Sequence, residues 1–170
     1  MEQKQTTNDY NFEVKPHVMI VEARYYEDIA DQLLAGAKAE LDRAGATYDV
    51  YTVPGALEIP AAVKYALRSL DYDPMRRRYD GYVALGTVIK GETRHDEIVG
   101  NVSIQGLQDL ALKHVLAIGC GILTVNNAAQ AEARAGQQNK GGGAAVACLR
   151  MIEMKNKFKL MPKRRWIGPK

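Results

Sequence analysis

HVMIVEARYYEDIADQLLAGAKAELDRAGATYDVYTV, residues 17–53, holds a complete β–α–β unit. His17–Ala23 is a short β-rich apolar run that reads as a buried first strand. Ile29, Leu33, Leu34, Ala37 and Leu41 then recur at helical spacing, with Asp28 placed to cap the helix and Gly45 to stop it. Thr47–Val53 reads as the second strand. A strand, a helix and a strand in that order call for a crossover connection and therefore a parallel pair.

The alternation continues downstream. Pro54-Gly55 breaks the second strand, and residues 58–70 read as a helix with Pro60 in its first turn. Residues 71–80 form a polar, charged connection, and 82–88 a third strand. Val102, Leu107, Leu110 and Ala111 give residues 98–113 helical periodicity, and 115–118 begin a fourth strand that can extend to 123. Residues 126–135 are Ala-rich and helical, with Asn126 or Asn127 as cap. Residues 136–143 read as a flexible Gly/Gln/Asn loop, and 144–157 as the last helix. The whole is one α/β domain over residues 16–157, preceded by a loose arm at 1–15 and followed by a basic tail at 158–170. The sequence shows no internal repeat.

Composition excludes several classes. The chain has 170 residues, 46% hydrophobic and 25% charged, which is neither disordered, collagenous nor coiled-coil. Its apolar runs fall far short of the ~20 residues that span a bilayer, so no membrane partner is expected. MEQKQTTNDYNF at the start lacks a basic region followed by an apolar one, the mark of a secretory signal. Cys120 and Cys148 lie far apart with no CxxC, indicating neither a disulfide framework nor a zinc site. A reduced, cytoplasmic protein is expected. The net charge of +3 hides seven basic residues and no acid in 155–170, so the rest of the chain is acidic. With no aromatic ladder beside it, this tail reads as a solvated terminus and no nucleic-acid partner is expected.

In parallel α/β sheets, ligands bind beyond the carboxyl ends of the strands. GTVIKGETRH (86–95) is the richest such segment. Gly91 allows close backbone approach, Thr93 and nearby N–H groups can hold an anion at the next helix start, and His95 can exchange protons near neutral pH. The alternative is a loop carrying one surface histidine. In VPGALE (53–58), Glu58 sits at a helix N-terminus, where it also suits the helix dipole. Tyr25, after the first strand, can stack on a planar ring or serve simple packing. Arg134 and Lys140 flank a glycine-rich turn and together suit a phosphate, or else form a solvated helix end. The spacings of a P-loop, a dinucleotide fingerprint, a nucleophile elbow and a metal-ligand set are all missing.

VPGALEIP (53–60), LGTVIKGETRH (85–95), GILT (121–124) and QAEARAG (130–136) together resemble the lumazine synthase family, in its order and at its spacings, across roughly residues 16–157. The resemblance implies a three-layer α/β/α sandwich around a four-stranded parallel sheet, with flavodoxin-like alternation. It implies a transferase that condenses 5-amino-6-(D-ribitylamino)uracil with L-3,4-dihydroxy-2-butanone 4-phosphate. The products are 6,7-dimethyl-8-ribityllumazine, phosphate and water, the penultimate step of riboflavin biosynthesis, and no metal or other cofactor is needed. Partners are the two small substrates and further copies of the chain, as a pentamer or a multiple of pentamers with sites between subunits. Riboflavin synthase is a further candidate partner.

By matching position, Tyr25 stacks on the pyrimidine, while Ala56, Leu57 and Glu58 hold the ribityl chain and ring. Thr87, Val88 and Ile89 line the pyrimidine pocket through backbone groups. Glu92 and Thr93 stand on the phosphate side, and His95 at the proton donor. Cys120 and Arg134 complete a neighbour's site, with Arg134 on the phosphate and Lys140 as the second phosphate-side cation. Leu57, Asp96, Cys120 and Gln138 depart from residue types common in the family. They motivate the alternative of a weakly catalytic flavin-binding or shell-forming paralogue.

Overall fold

Every residue of His17–Ala23 is buried, as an apolar run without polar alternation requires of a central strand. The computed structural model describes residues 9–75 and 78–161. Strands β1 (His17–Ala23), β2 (Thr47–Val53), β3 (Gly81–Ile89) and β4 (Ile118–Val125) alternate with helices. These are α1 (Glu27–Arg43), α2 (Ile59–Tyr72), α3 (His95–His114), α4 (Ala128–Ala135) and α5 (Lys140–Lys157). The sheet is parallel throughout, in the order β2-β1-β3-β4.

Side chains alternate across a strand, so each strand feeds two cores. Val18, Ile20, Val83, Leu85, Leu123 and Val125 face α1, α4 and α5, where Leu33, Leu41, Leu149 and Ile152 close the layer. Met19, Val21, Ala23, Tyr82, Ala84 and Ile122 face the other way, onto Ala56, Ile59, Val63 and Leu107 of the α2–α3 layer. This is the three-layer α/β/α sandwich with a four-stranded parallel sheet that the sequence implied. Fully burying a side chain such as Leu33 or Leu41 contributes about 1.5–3 kcal/mol.

Four local expectations need correction. Helix α1 starts before Asp28 can cap it. Tyr26 is the extended N-cap, without a side-chain bond, and Glu27 and Asp28 lie in the first turn, where their charge suits the helix dipole. Glu58 closes a short 3-10 turn, Ala56–Glu58, and α2 itself begins at Ile59. Residues 115–117 are not strand: Val115 takes a left-handed conformation (φ 54°) that ends α3 with its N–H on the Ala111 carbonyl, and β4 begins at Ile118.

The fourth correction concerns 136–143, which is not a flexible loop throughout. Asn139 caps α5 by accepting from the Gly142 amide at 3.1 Å, and Gly141, Gly142 and Gly143 are helical. Glycine is needed there for proximity rather than flexibility. A Cβ on Gly141 would lie 2.0 Å from the Leu33 carbonyl oxygen of α1.

Of the arm expected at 1–15, residues 9–15 carry no helix or strand, and Tyr10 and Phe12 pack against the α1–α5 core. The Tyr10 hydroxyl donates to Glu40 at 2.6 Å, and the Arg43 and Arg150 guanidinium groups lie 5.2 and 5.0 Å from its ring centre. Residues 1–8 of that arm, and 162–170 of the basic tail, lie outside the described residues. Among the described residues, no helix is long and apolar enough to cross a membrane.

Gly141→Ala should push α5 off α1 and cost about 2–3 kcal/mol as an overpacked contact. In thermal unfolding this appears as a Tm loss of roughly 5–10 °C. Gly91, where a Cβ would meet nothing within 4 Å, is the control. Gly91→Ala should move Tm by less than about 2 °C.

Candidate active site

Parallel pairing brings all four strand exits to one edge of the sheet. The paired residues Ala23 and Val53 end β1 and β2, and the pair Ile89 and Val125 ends β3 and β4. Just inside this edge, a Cβ on Gly86 would lie 3.4 Å from Ile59 Cδ1, 3.6 Å from Ala23 Cβ and 3.8 Å from Ala56 Cβ. The Ala56–Glu58 turn and the start of α2 therefore pack against β3 at this glycine at ordinary contact distance.

Around that point the edge gathers most of the residues singled out from sequence. Tyr25 follows β1 with 76% of its surface exposed and meets Tyr26 edge-on, 5.0 Å between ring centres. Ala56 is buried beneath the turn, while Leu57 and Glu58 are exposed above it. The Glu58 carboxylate folds back toward Gly55, where a Cβ would come within 3.0 Å of Oε2. Thr87, Val88 and Ile89 form the half-buried end of the β3 ladder, which Lys90 N–H extends to the Val125 carbonyl at 2.8 Å.

Alternation separates the side chains of this trio. Val88 joins the α2–α3 layer with Tyr82 and Ala84, whereas Ile89 joins the α1 layer with Val83 and Leu85. Thr87 shares the parity of Leu85 and Ile89, so its side chain turns to the α1 layer. Its hydroxyl oxygen is buried without a hydrogen-bond partner among the described residues.

Glu92, Thr93 and His95 are exposed on the loop after β3. Thr93 Oγ1 accepts from the His95 amide at 3.3 Å, and Asp96 Oδ1 accepts from the Gly91 amide at 3.3 Å. Both bonds tie the loop to the start of α3, so His95 opens that helix rather than preceding it. The first-turn N–H groups of a 20-residue helix are a natural site for an anion beside Thr93.

Cys120, Arg134 and Lys140 are not part of this gathering. Cys120 pairs with Ala84 in mid-sheet, three positions before the Thr87–Leu123 pair, and is exposed on β4. Arg134 lies near the end of α4, about 10 Å along the helix from its Asn127 cap, and donates to the Gln130 carbonyl at 3.1 Å. Lys140 is the first residue of α5. A separate cavity of about 320 Å³ opens at the opposite, amino edge of the sheet, beside Arg78, Tyr82, His114 and Lys155. None of the residues singled out from sequence lines it.

One group at the edge escaped the sequence reading. Glu22 in β1 is only 3% exposed. Its Oε1 accepts from Thr52 Oγ1 at 3.0 Å, and both its oxygens accept from Arg24 Nη1, at 3.1 and 3.2 Å. The other amino group of Arg24 donates to Asp31 in α1. These bonds to Asp31 and Glu22 hold the guanidinium still further above its ordinary range. The signal was a lone acid inside an apolar strand, HVMIVEA.

The chain matches the family model described as 6,7-dimethyl-8-ribityllumazine synthase over residues 15–156. A 6,7-dimethyl-8-ribityllumazine synthase of Agrobacterium fabrum is 59% identical over 146 residues, covering 85% of this chain and 97% of that protein. The 6,7-dimethyl-8-ribityllumazine synthase 1 of Rhizobium meliloti is 57% identical over 148 residues, covering 85% and 95%. A 6,7-dimethyl-8-ribityllumazine synthase of Paramagnetospirillum magneticum is 48% identical over 145 residues, covering 84% and 97%.

The partnerless Thr87 hydroxyl generates a stability prediction. Thr87→Val keeps the shape and removes an unsatisfied buried oxygen, which is worth about 1 kcal/mol. Thermal unfolding should shift upward by roughly 2–4 °C; a fall in Tm would show that the hydroxyl is satisfied in solution.

Proposed function

Because the chain belongs to the 6,7-dimethyl-8-ribityllumazine synthase family, we propose that it condenses 5-amino-6-(D-ribitylamino)uracil with L-3,4-dihydroxy-2-butanone 4-phosphate. The products are 6,7-dimethyl-8-ribityllumazine, phosphate and water, in riboflavin biosynthesis. One observation carries this reading: in a chain of this family, an exposed aromatic ring, a carboxylate, the end of the β3 strand, a helix N-terminus and a histidine lie at one edge of the sheet.

In this reading Tyr25 stacks on the pyrimidine, and the edge backbone of Thr87, Val88 and Ile89 meets the ring's polar rim. Ala56, Leu57 and Glu58 hold the ribityl chain. The 5-amino group attacks the butanone carbonyl and releases water as an imine forms. The C3 proton is then lost and phosphate leaves C4, the resulting enol becomes a ketone at C3 with a new methyl group, the ribityl-bearing nitrogen closes the ring on that ketone, and a second dehydration completes the product. His95 supplies and removes protons in these steps. Glu92 and Thr93 lie on the phosphate side, where the α3 N-terminus favours negative charge. Holding two substrates in one orientation supplies much of the rate, and no cofactor enters the scheme.

Cys120, Arg134 and Lys140 serve the site of a neighbouring copy, with Arg134 and Lys140 on its phosphate. The outer side of α3 supports such an assembly: Ile98, Val102, Ile104 and Leu112 are exposed, and a helix apolar on both sides calls for a second partner surface. The assembly is a pentamer or a multiple of pentamers, located in the cytoplasm. Riboflavin synthase, which uses the product, is a candidate partner. The acid–base and anion-binding groups favour turnover over the binding or shell-forming alternative.

The direct test is product formation from both substrates by a size-fractionated sample. Turnover confined to the assembled fraction is expected; assembly without turnover would favour the binding or shell role. Arg134→Ala should raise KM for the butanone phosphate at least about tenfold, the value of one charge-assisted hydrogen bond. An unchanged saturation curve would remove Arg134 from the phosphate. His95→Ala should lower kcat about tenfold, a small effect for a general acid because proximity persists. Oligomers reassembled from a mixture of Tyr25→Ala and Arg134→Ala chains should be more active at low substrate than either variant alone, since some sites then pair an intact Tyr25 with an intact Arg134.

A further inference from the structure

Tyr25 is a ring without a socket. With most of its surface exposed and an edge-on contact to Tyr26, it is positioned by the backbone that carries it. That backbone is the three-residue connection 24–26 between β1 and α1. Arg24 spans this connection. Its guanidinium bonds backward to Glu22 inside the strand and forward to Asp31 in the helix.

The inner end of the brace is fixed. Glu22 is buried near the carboxyl end of β1, an interior strand of the sheet, and β2 restrains it through the Thr52 hydroxyl. A buried carboxylate whose two oxygens share one guanidinium donor is held firmly, because losing either partner strands a charge away from water. The outer end, Asp31, is exposed and adjustable. The brace therefore transmits the position of the sheet to the turn.

We propose that Glu22 is a positioning residue for the pyrimidine substrate: through Arg24 it fixes the turn that presents Tyr25. This rests on the assignment of Tyr25 to the pyrimidine made above. Glu22 itself touches no substrate in this proposal, and it should act on binding of one substrate only.

The experiment compares Glu22→Gln, Tyr25→Ala, the double variant and Asp31→Asn in the assembled enzyme, measuring kcat, KM for each substrate, and Tm. Glutamine keeps the shape, and its one oxygen can still accept from Arg24 and Thr52, but its NH2 cannot accept at the Oε2 position, so the charge assistance and one of the two Arg24 bonds are lost. Glu22→Gln should raise KM for ribitylaminouracil about five- to tenfold, the difference between a charged and a neutral bond to the guanidinium. KM for the butanone phosphate should stay within about twofold. In the Tyr25→Ala background the same change should add less than about twofold, because both act through one contact. Asp31→Asn, which leaves the buried carboxylate intact, should give a smaller shift of about two- to threefold in the same direction. It carries the test if Glu22→Gln fails to fold.

A lowered Tm with both KM values unchanged would overturn the proposal and leave Glu22 as a stability residue. Full additivity with Tyr25→Ala would overturn it as well. If Tyr25→Ala alone left KM for ribitylaminouracil unchanged, the assignment of Tyr25 would fail first, and the positioning role with it.

Discussion

Helix α5 rests on the sheet and on α1 backbone to backbone. A Cβ on Gly119 would lie 1.8 Å from the Ala144 carbonyl oxygen, and one on Gly141 would lie 2.0 Å from that of Leu33. Gly121 leaves only 3.1 Å between its Cβ position and that of Ala144. Gly119 and Gly141 tolerate no side chain without moving a main chain. The approach locks β4 to α5, and α5 to α1. Because β4 pairs with β3 to the last residue, Ile89 with Val125, the lock reaches the loop that carries His95. Because α1 receives the Arg24 brace at Asp31, it also reaches the turn that carries Tyr25. Close packing conveys position here because an interior at crystal-like density yields little.

The layered fold was legible because two periods alternate along the chain without ambiguity. Four apolar runs of strand length are separated by stretches with helical spacing, and parallel topology follows from the crossovers. What misled were residues whose meaning depends on a distant neighbour. Three consecutive glycines read equally well as a flexible loop or as a close helix contact, and only the Leu33 backbone decides between them. Val115 reads as strand from its branching, but the chain reversal at the end of α3 forces it left-handed. Asp28 is a good cap by type, yet the helix starts where extended backbone ends, at Tyr26.

The candidate site divides along the same line. Its location was legible, since parallel sheets present ligands at the carboxyl ends of their strands. Its loops were legible from Pro-Gly and from the clustered polar groups of residues 86–95. The roles of individual side chains came from the resemblance to a family, because no spacing distinguishes a stacking tyrosine from a packing one. Alternation from Leu85 already assigned the Thr87 side chain to the α1 face of the sheet. Glu22 stood in plain view as the one charge in an apolar strand, but its partner on β2 is 30 residues away, and a strand read in isolation does not show it.

Strand β2 is hydrogen-bonded to β1 on one side, and its residues are largely exposed, Val50 and Tyr51 among them. Its other side is a row of backbone donors and acceptors, the kind of border on which any extended chain can pair. The consequence is one of timing. Folding of each chain is a first-order event, whereas pairing of that border with a second molecule is second-order and slows with dilution. Edge-to-edge encounters of freshly folded chains therefore become more frequent as the protein becomes more concentrated. The yield of soluble protein becomes a question of rates as well as of stability.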